Sequence, residues 1–127
     1  MRSLLKPGGR ACIQSITIRD DLFDRYVRST DFIQQYVFPG GLLPSPGEFR
    51  KAAAAAGLEV VDELDFGLDY AETLRRWRAA FLGSEGAARA LGFDTRFMRT
   101  WEFYLAYCEA AFAARNTSVV QFTLRRR

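Results

Sequence analysis

The sequence predicts an α/β fold built around a small sheet of three strands. Three apolar segments rich in β-branched residues, at 10–18, 58–66 and 118–124, are separated by stretches with helical spacing. This order of strand, helices, strand, helices and strand is typical of α/β layers, where a right-handed crossover makes the first two strands parallel. A length of 127 residues with 49% hydrophobic residues suits one domain.

The first predicted strand, 10–18, follows a turn and has the pattern of a buried strand. Pro7 cannot continue a helix, and the glycines after it permit positive φ, so residues 4–9 predict a helix end and a turn. The strand is apolar at nearly every position of its first half, which predicts cover on both faces. Cys12 here and Cys108 later lie in apolar periodic segments, so both are expected to be buried free thiols.

Helical spacing then runs over residues 20–37, with a break near Ser29 and a stop at Pro39 and the two glycines after it. Ser45, followed by a proline and by Glu48 three residues on, has the form of a capping box. The helix that it begins is expected to end at Gly57, which is a favourable residue just after a helix.

After the second strand, three further helices are predicted. Asp69 is expected to begin the first of them, and a short helix covers 85–91. Asp94 is expected to cap the longest helix, whose apolar stripe is more often core than pocket wall. The stripe consists of Phe97, Trp101, Tyr104, Leu105, Cys108 and Phe112.

Composition excludes several classes of site. The chain has no histidine, so it contains neither a histidine metal site nor a Ser-His-Asp triad, and we expect no bound metal. The net charge is +3, and arginines at 125–127 are either a frayed end or a contact for phosphate. No clustered basic and aromatic pattern predicts nucleic-acid binding. No apolar run has the length of a transmembrane helix, and the expected location is the cytoplasm.

The segment 31–45, DFIQQYVFPGGLLPS, is unusually apolar for a loop. Aromatic and aliphatic side chains surround a pair of glycines and two prolines, which reverse and stiffen the backbone. Two interpretations remain open: a buried turn between helices, or the wall of a pocket for an apolar ligand.

Four motifs together resemble a known family. They read LLKPGGRACIQSITI, STDFIQQYVFPGGLLPS, FGLDYAETLRRWRAAF and FDTRFMRTWEFYLAYCEAAFAARNTSVVQFTL, and they occupy most of the chain. They are similar to the carboxyl-terminal half of the cyclopropane-fatty-acyl-phospholipid synthases, which include the mycolic acid cyclopropane synthases and related fatty-acid methyltransferases.

The resemblance implies a class I methyltransferase fold that uses S-adenosylmethionine. The three strands would be the fifth, sixth and seventh, with the last one antiparallel between the other two. Residues 1–127 would then be a partial methyltransferase domain that lacks the cofactor-cradle half. The sequence has no G-x-G-x-x-G loop, so we expect no cofactor-binding residues in this chain and no tight binding of S-adenosylmethionine or bicarbonate by it alone.

The family also implies an anion site, in which bound bicarbonate acts as the base. Of its five positions, a cysteine and a glutamate would precede this chain. The other three fall on Gln14, Ile16 and Tyr70, and Gln14 replaces the family's histidine. An amide donates a hydrogen bond to an anion but does not titrate near neutral pH, so methylation without ring closure is an alternative. From the residues alone, without the family resemblance, Gln14 is expected to be an ordinary polar residue on a strand, and Tyr70 is expected to pack in the core.

The implied substrate is an unsaturated acyl chain of a phospholipid, to which a methyl or methylene group is transferred. On this interpretation four residues of the apolar loop face the acyl chain: Tyr36, Phe38, Leu42 and Leu43. A second hypothesis is a non-catalytic remnant that oligomerises or binds lipid. We expect either a homo-oligomer formed through the exposed first strand or pairing with an amino-terminal half. Peripheral contact with the inner membrane surface is the corresponding alternative for location.

Overall fold

The protein is described here from a computed structural model, in which residues 2–127 are defined. A short 3-10 helix, Arg2–Leu4, precedes the first strand. The strands are β1 (Arg10–Ile18), β2 (Leu58–Asp65) and β3 (Thr117–Arg126). The helices are α1 (Asp20–Val27), α2 (Phe32–Tyr36), α3 (Pro46–Ala55), α4 (Gly67–Gly83), α5 (Glu85–Ala90) and α6 (Thr95–Ala113). The predicted α/β class and the order of its elements are confirmed.

The sheet has the strand order β1-β3-β2, and β3 is antiparallel to both neighbours. The last strand therefore lies between the other two, as the family resemblance implied. The arginine run is not a frayed end, because Arg125 and Arg126 belong to β3, and Arg125 forms an ion pair of 2.8 Å with Glu59 on β2. Pairing between neighbouring strands therefore gives Arg125 and Arg126 a defined conformation, so the frayed-end interpretation does not apply to them.

One face of the sheet is covered by α3. Phe122 of β3 is fully buried, and its ring stacks on Phe49 of α3 with 3.9 Å between centroids. Leu58 and Leu124 complete this cluster together with Ala53. The helix begins where the sequence predicts, since the Ser45 hydroxyl accepts a hydrogen bond from the Glu48 backbone amide.

The other face is partly covered by the hairpin of α4 and α6. Leu74, Leu105 and Phe112 pack on Val119 of β3 and form the second core cluster. An ion pair of 3.0 Å between Arg78 and Glu109 joins the two helices at their half-buried boundary.

β1 departs from the expectation of a strand covered on both faces. Cys12 and Gln14 are exposed, and Ile16 is 36% exposed, because α4 and α6 pack over β3 and leave this part of β1 open. The prediction of a buried Cys12 is therefore wrong. Within residues 2–127, no strand pairs with the outer edge of β1.

The start of α4 also differs from the prediction. The helix begins at Gly67 instead of Asp69, because the Asp65 carboxylate accepts a hydrogen bond of 3.1 Å from the Gly67 amide. Gly67 is required by close packing, since a Cβ there would lie 3.0 Å from the Cα of Ser118. Asp94 caps α6 as predicted.

A reciprocal capping box occurs at α2. The Asp31 carboxylate accepts from the Gln34 amide, and the Gln34 side chain accepts from the Asp31 amide. This capping box was not predicted from the sequence. No helix within the part of the chain that the structure describes has the length and hydropathy needed to span a bilayer.

Candidate functional site

Two apolar cavities meet beside the carboxyl end of β1. The first, of about 480 Å³, lies between the α1–α2 segment, the loop after α2 and the outer side of α6. The second, of about 390 Å³, lies between α4 and α6. Both cavities are lined by the same five residues at their junction, which are Ile16, Phe38, Tyr104, Cys108 and Phe112. Ligands of open α/β sheets bind beyond the carboxyl ends of strands, so the position favours a functional site.

The loop after α2 is held over the first cavity by hydrogen bonds. Gly40 has a φ of 79°, which turns the chain back towards the sheet. The Gln34 side-chain amide donates to the Gly41 carbonyl at 3.0 Å, and the Leu43 amide donates to the Tyr26 hydroxyl at 3.2 Å. This loop therefore forms a cavity wall with a defined conformation.

Aromatic rings line the junction and continue along the second cavity. The rings of Phe38 and Tyr104 meet edge to face with 6.1 Å between centroids, and Trp101 packs 4.9 Å from Tyr104. Tyr70 of α4 packs across the hairpin on Phe112 of α6, with 5.0 Å between ring centroids, and along α4 on Trp77, with 5.9 Å between centroids. An apolar ligand at the junction would touch aromatic edges and faces on several sides.

Three titratable side chains of α6, Tyr104, Tyr107 and Cys108, have raised pKa values in the cavity walls. Burial raises the pKa of the Cys108 thiol to about 11, and a hydrogen bond with Tyr104 opposes part of that effect. Burial raises the pKa of Tyr104 to about 12, helped by Cys108. The pKa of Tyr107 is also raised, by burial and by the negative charge of Asp31. The α6 wall at the junction of the two cavities is therefore uncharged at neutral pH, as an apolar ligand requires, whereas Arg25 and Asp31 border the first cavity farther out.

We expect the free energy of unfolding to fall as the pH rises from about 9 towards 12. The folded-state pKa values of Cys108 and Tyr104 lie above their ordinary values, so the unfolded chain loses these protons first. The stabilisation is complete below pH about 9 and is lost through the folded-state values near 11 and 12. Urea titrations at a series of pH values measure this slope.

The matched comparison for this pH dependence is Cys108→Ala combined with Tyr104→Phe. The double variant is expected to show a shallower alkaline loss than the parent. An equal slope in both proteins would assign the alkaline loss to other groups.

Five residues proposed from the sequence line the two cavities. Ile16 and Phe38 line both, Tyr70 lines the second, and Leu42 and Leu43 line the first. The structure thus gathers residues that are up to 54 positions apart, from Ile16 to Tyr70, around one site.

Two other candidate residues, Gln14 and Tyr36, lie outside both linings. Gln14 is exposed on the same face of β1 as Ile16, and its side-chain oxygen accepts from the Gln121 amide at 3.1 Å. Tyr36 is exposed and packs against Phe32, with 5.4 Å between ring centroids.

Helix α6 contributes to the cavities in a way that its sequence pattern did not predict. Its apolar stripe was expected to be core, yet Trp101, Tyr104 and Cys108 line the cavities as well as touching the core. The signal available was the density of aromatic residues, which exceeds what one core face of a single helix needs.

The carboxylates at the ends of the strands take part in local contacts. Asp20 accepts from the Gly47 amide, Asp21 pairs with Arg19, and Asp65 accepts from the Gly67 amide and the Ser118 hydroxyl. Residues 2–127 also contain no group of three or more side chains suited to a metal ion.

Comparison with known proteins gives one family. Residues 1–122 match the family model described as mycolic acid cyclopropane synthetase. The tuberculostearic acid methyltransferase of Mycobacterium tuberculosis is 41% identical over 127 residues, which is 99% of this chain and 30% of that protein. The cyclopropane-fatty-acyl-phospholipid synthase of Escherichia coli (strain K12) is 33% identical over 95 residues, covering 75% of this chain and 24% of that protein.

Among solved structures, the mycolic acid cyclopropane synthase complexed with SAH and CTAB has a TM-score of 0.85 and 29% identity. The match covers 98% of this chain and 46% of that chain. The fold is thus that of the class I methyltransferases, and the chain spans less than half of the relatives it matches.

Proposed function

The chain belongs to the mycolic acid cyclopropane synthetase family, and from that premise we propose that it forms the acyl-binding part of a lipid methyltransferase. The reaction is transfer of a methyl or methylene group from S-adenosylmethionine to the double bond of an unsaturated acyl chain, carried by a phospholipid. The cofactor supplies the methyl group, and the chain described here supplies the walls that hold the acyl chain. The proposed location is the cytoplasm, with peripheral contact at the inner membrane surface.

The observation that carries this proposal is the pair of joined apolar cavities at the carboxyl end of β1. An unactivated double bond reacts only when it is positioned closely and kept from water. Aromatic faces also stabilise positive charge that develops on the acyl chain. Phe38, Tyr104 and Phe112 supply such rings at the junction of the two cavities.

The anion site implied by the family is part of the proposal. Ile16 and Tyr70 line the second cavity, and Gln14 lies on the same face of β1 as Ile16. A bicarbonate ion near Tyr70 and Ile16 would accept hydrogen bonds from the tyrosine hydroxyl and from backbone amides. The side-chain oxygen of Gln14 accepts from Gln121, so Gln14 would offer the anion its amide N–H groups.

A second candidate is methylation without ring closure. Two observations favour it: an amide stands at Gln14, where the family has a histidine, and a tuberculostearic acid methyltransferase matches nearly the whole chain. Methyl transfer leaves a carbocation, and without ring closure this cation loses one proton to the proposed bicarbonate and keeps one double bond beside the new one-carbon branch. An amide at position 14 cannot itself take up that proton.

The experiment combines this chain with the part of a family member that precedes the matched region. The mixture, or a fusion of the two, is incubated with labelled S-adenosylmethionine and phospholipid vesicles with cis-unsaturated acyl chains. We expect label in the acyl chains, and none in vesicles whose acyl chains are saturated. Proton NMR of the labelled acyl chains then separates cyclopropane rings from the isomeric branched alkenes. Absence of label, with both parts folded, would favour the non-catalytic interpretation.

We expect this chain alone to bind S-adenosylmethionine no more tightly than the millimolar range, about −4 kcal/mol. The physical reason is that the sequence has no glycine-rich cradle for the cofactor. Isothermal calorimetry measures the affinity, with the combined protein of the previous experiment as the positive control. Micromolar saturation of the isolated chain would contradict this prediction.

The isolated chain is also expected to self-associate through the open edge of β1. That strand has nine residues, and its exposed backbone groups can pair with another strand. Sedimentation velocity should show concentration-dependent dimers, which Cys12→Lys weakens by placing a charge beside the edge. Ala113→Lys, on the exposed end of α6, is the control of equal charge. A monomer at all concentrations would refute edge pairing.

A further inference from the structure

We propose that the two cavities hold the two arms of a single acyl chain, which bends at their shared junction. The arm that leads to the carboxyl or head group lies in the first cavity, and the methyl end lies in the second. The ligand class is therefore a chain with its double bond near the middle. This inference rests on the proposed function and adds the direction in which the chain binds.

The two cavities are joined at a common wall. They share one set of five wall residues, and Ile16 at the carboxyl end of β1 is among them. Beyond the junction they diverge, one towards the α1–α2 segment and the other between α4 and α6. A straight chain would fit one cavity only, whereas a cis double bond bends the chain and allows it to enter both.

The two cavities also differ in polarity. The first is bordered by Arg25, Ser29, Asp31 and Gln34, although most of its wall is apolar. The carboxylate of Asp31 caps α2, and Arg25 forms no ion pair with any residue in 2–127. A carboxylate or phosphodiester of the ligand is therefore matched by a guanidinium at this opening.

The lining of the second cavity includes no arginine or lysine that could form an ion pair with a head group, and the small bicarbonate proposed beside Ile16 and Tyr70 would be held by hydroxyl and backbone N–H donors only. Its walls are aliphatic and aromatic, with Leu74, Phe81 and Leu105 beyond the junction and the Tyr70 hydroxyl as a neutral polar group. Placing a charged head group there would cost desolvation without a compensating ion pair. The apolar methyl end is the arm that fits it.

The position of the tryptophans makes the direction measurable. The chain has two, Trp77 and Trp101, and both line the second cavity but not the first. Bromine atoms on a bound acyl chain quench indole fluorescence only at close range. Mid-chain cis-octadecenoic acids brominated between the double bond and the methyl end should quench strongly, and isomers brominated between the carboxyl group and the double bond should quench weakly at equal saturation.

A reciprocal variant provides the matched control. Trp77→Phe and Trp101→Phe, combined with Leu42→Trp, leave one tryptophan, in the wall of the first cavity. Leu42 is largely exposed, so a larger side chain is accommodated there. The order of quenching by the two isomers should invert. If the triple variant loses its native circular dichroism, the parent protein with both isomers still decides the question.

The head-group end is tested at Arg25. Arg25→Gln should weaken binding of the fatty acid by about twofold to fivefold, since exposed ion pairs contribute up to about 1 kcal/mol. The affinity for the corresponding methyl ester should stay unchanged. An equal loss for acid and ester would overturn the assignment of the charged end.

The outcomes separate this inference from the proposed function. Equal quenching by both isomers, with saturable binding, would overturn the two-arm arrangement and leave acyl binding intact. The reverse order of quenching would overturn the direction of the chain. No saturable quenching by either isomer, in a natively folded chain, would instead remove the proposed acyl-binding function.

Discussion

Replacing Phe38 by aspartate is expected to lower lipid methylation by about 100-fold or more, with little change in the free energy of unfolding. Phe38 is 55% exposed, so the fold does not depend on its burial, yet it lines both cavities. An acyl chain at the junction would bury the new carboxylate without a partner, which costs several kcal/mol. Each 1.4 kcal/mol or so corresponds to about a factor of ten in rate.

The assay for this variant is the combined protein with unsaturated phospholipid vesicles, and urea unfolding measures its stability. Phe103→Asp is the matched control, because Phe103 is 51% exposed on α6 and lines neither cavity. It is expected to retain most of the activity. If Phe38→Asp kept full activity with an intact fold, the loop after α2 would contribute packing only.

The helices and strands could be predicted because the spacing of apolar residues indicates which face of each element is buried. The bounds of β1 and the capping residues Ser45 and Asp94 follow directly from apolar runs and cap chemistry. The start of α4 was misplaced because the Asp65 carboxylate accepts from the Gly67 amide, and Gly67, the first residue of the helix, packs against Ser118 of β3. Such a contact between distant segments leaves no local signature.

The exposure of β1 could not be predicted for a related reason. An apolar strand pattern predicts that other elements pack on both faces of the strand, but it does not identify which elements these are. In residues 2–127 the α4–α6 hairpin reaches Val119 and leaves Cys12 and Gln14 open.

The site was predicted through the family more than through the residues alone. Ile16, Tyr70 and Phe38 came from matched motifs, and the structure places all three on the cavity walls. The second cavity was not predicted, because the aromatic stripe of α6 was expected to be core, whereas in the structure it contacts the core and also lines the cavities. Residues such as Phe112 are buried against the sheet and also face the ligand space, so core and pocket are not alternatives for them.

Phe122→Ala is expected to cost about 3–5 kcal/mol of unfolding free energy, the range for removing a buried aromatic side chain. Phe122 is 0% exposed at the centre of β3, between the two other strands, and its ring stacks on Phe49 of α3. Because small domains have about 5–15 kcal/mol in total, this one change would remove a large part of their stability. Both sheet pairings depend on β3, so the loss should appear as one cooperative transition at lower urea concentration.

Phe93→Ala provides the comparison, because it removes the same ring from a position that is 42% exposed and stacked on a single neighbour, Phe97. Its cost is expected to be about 1 kcal/mol. Phe122→Leu should fall between the two, since it keeps most of the buried volume. The decisive quantity is the difference between the two alanine variants. Equal costs would mean that β3 does not carry the core, and that the placement of Ile16 and the cavities beside it must be revised.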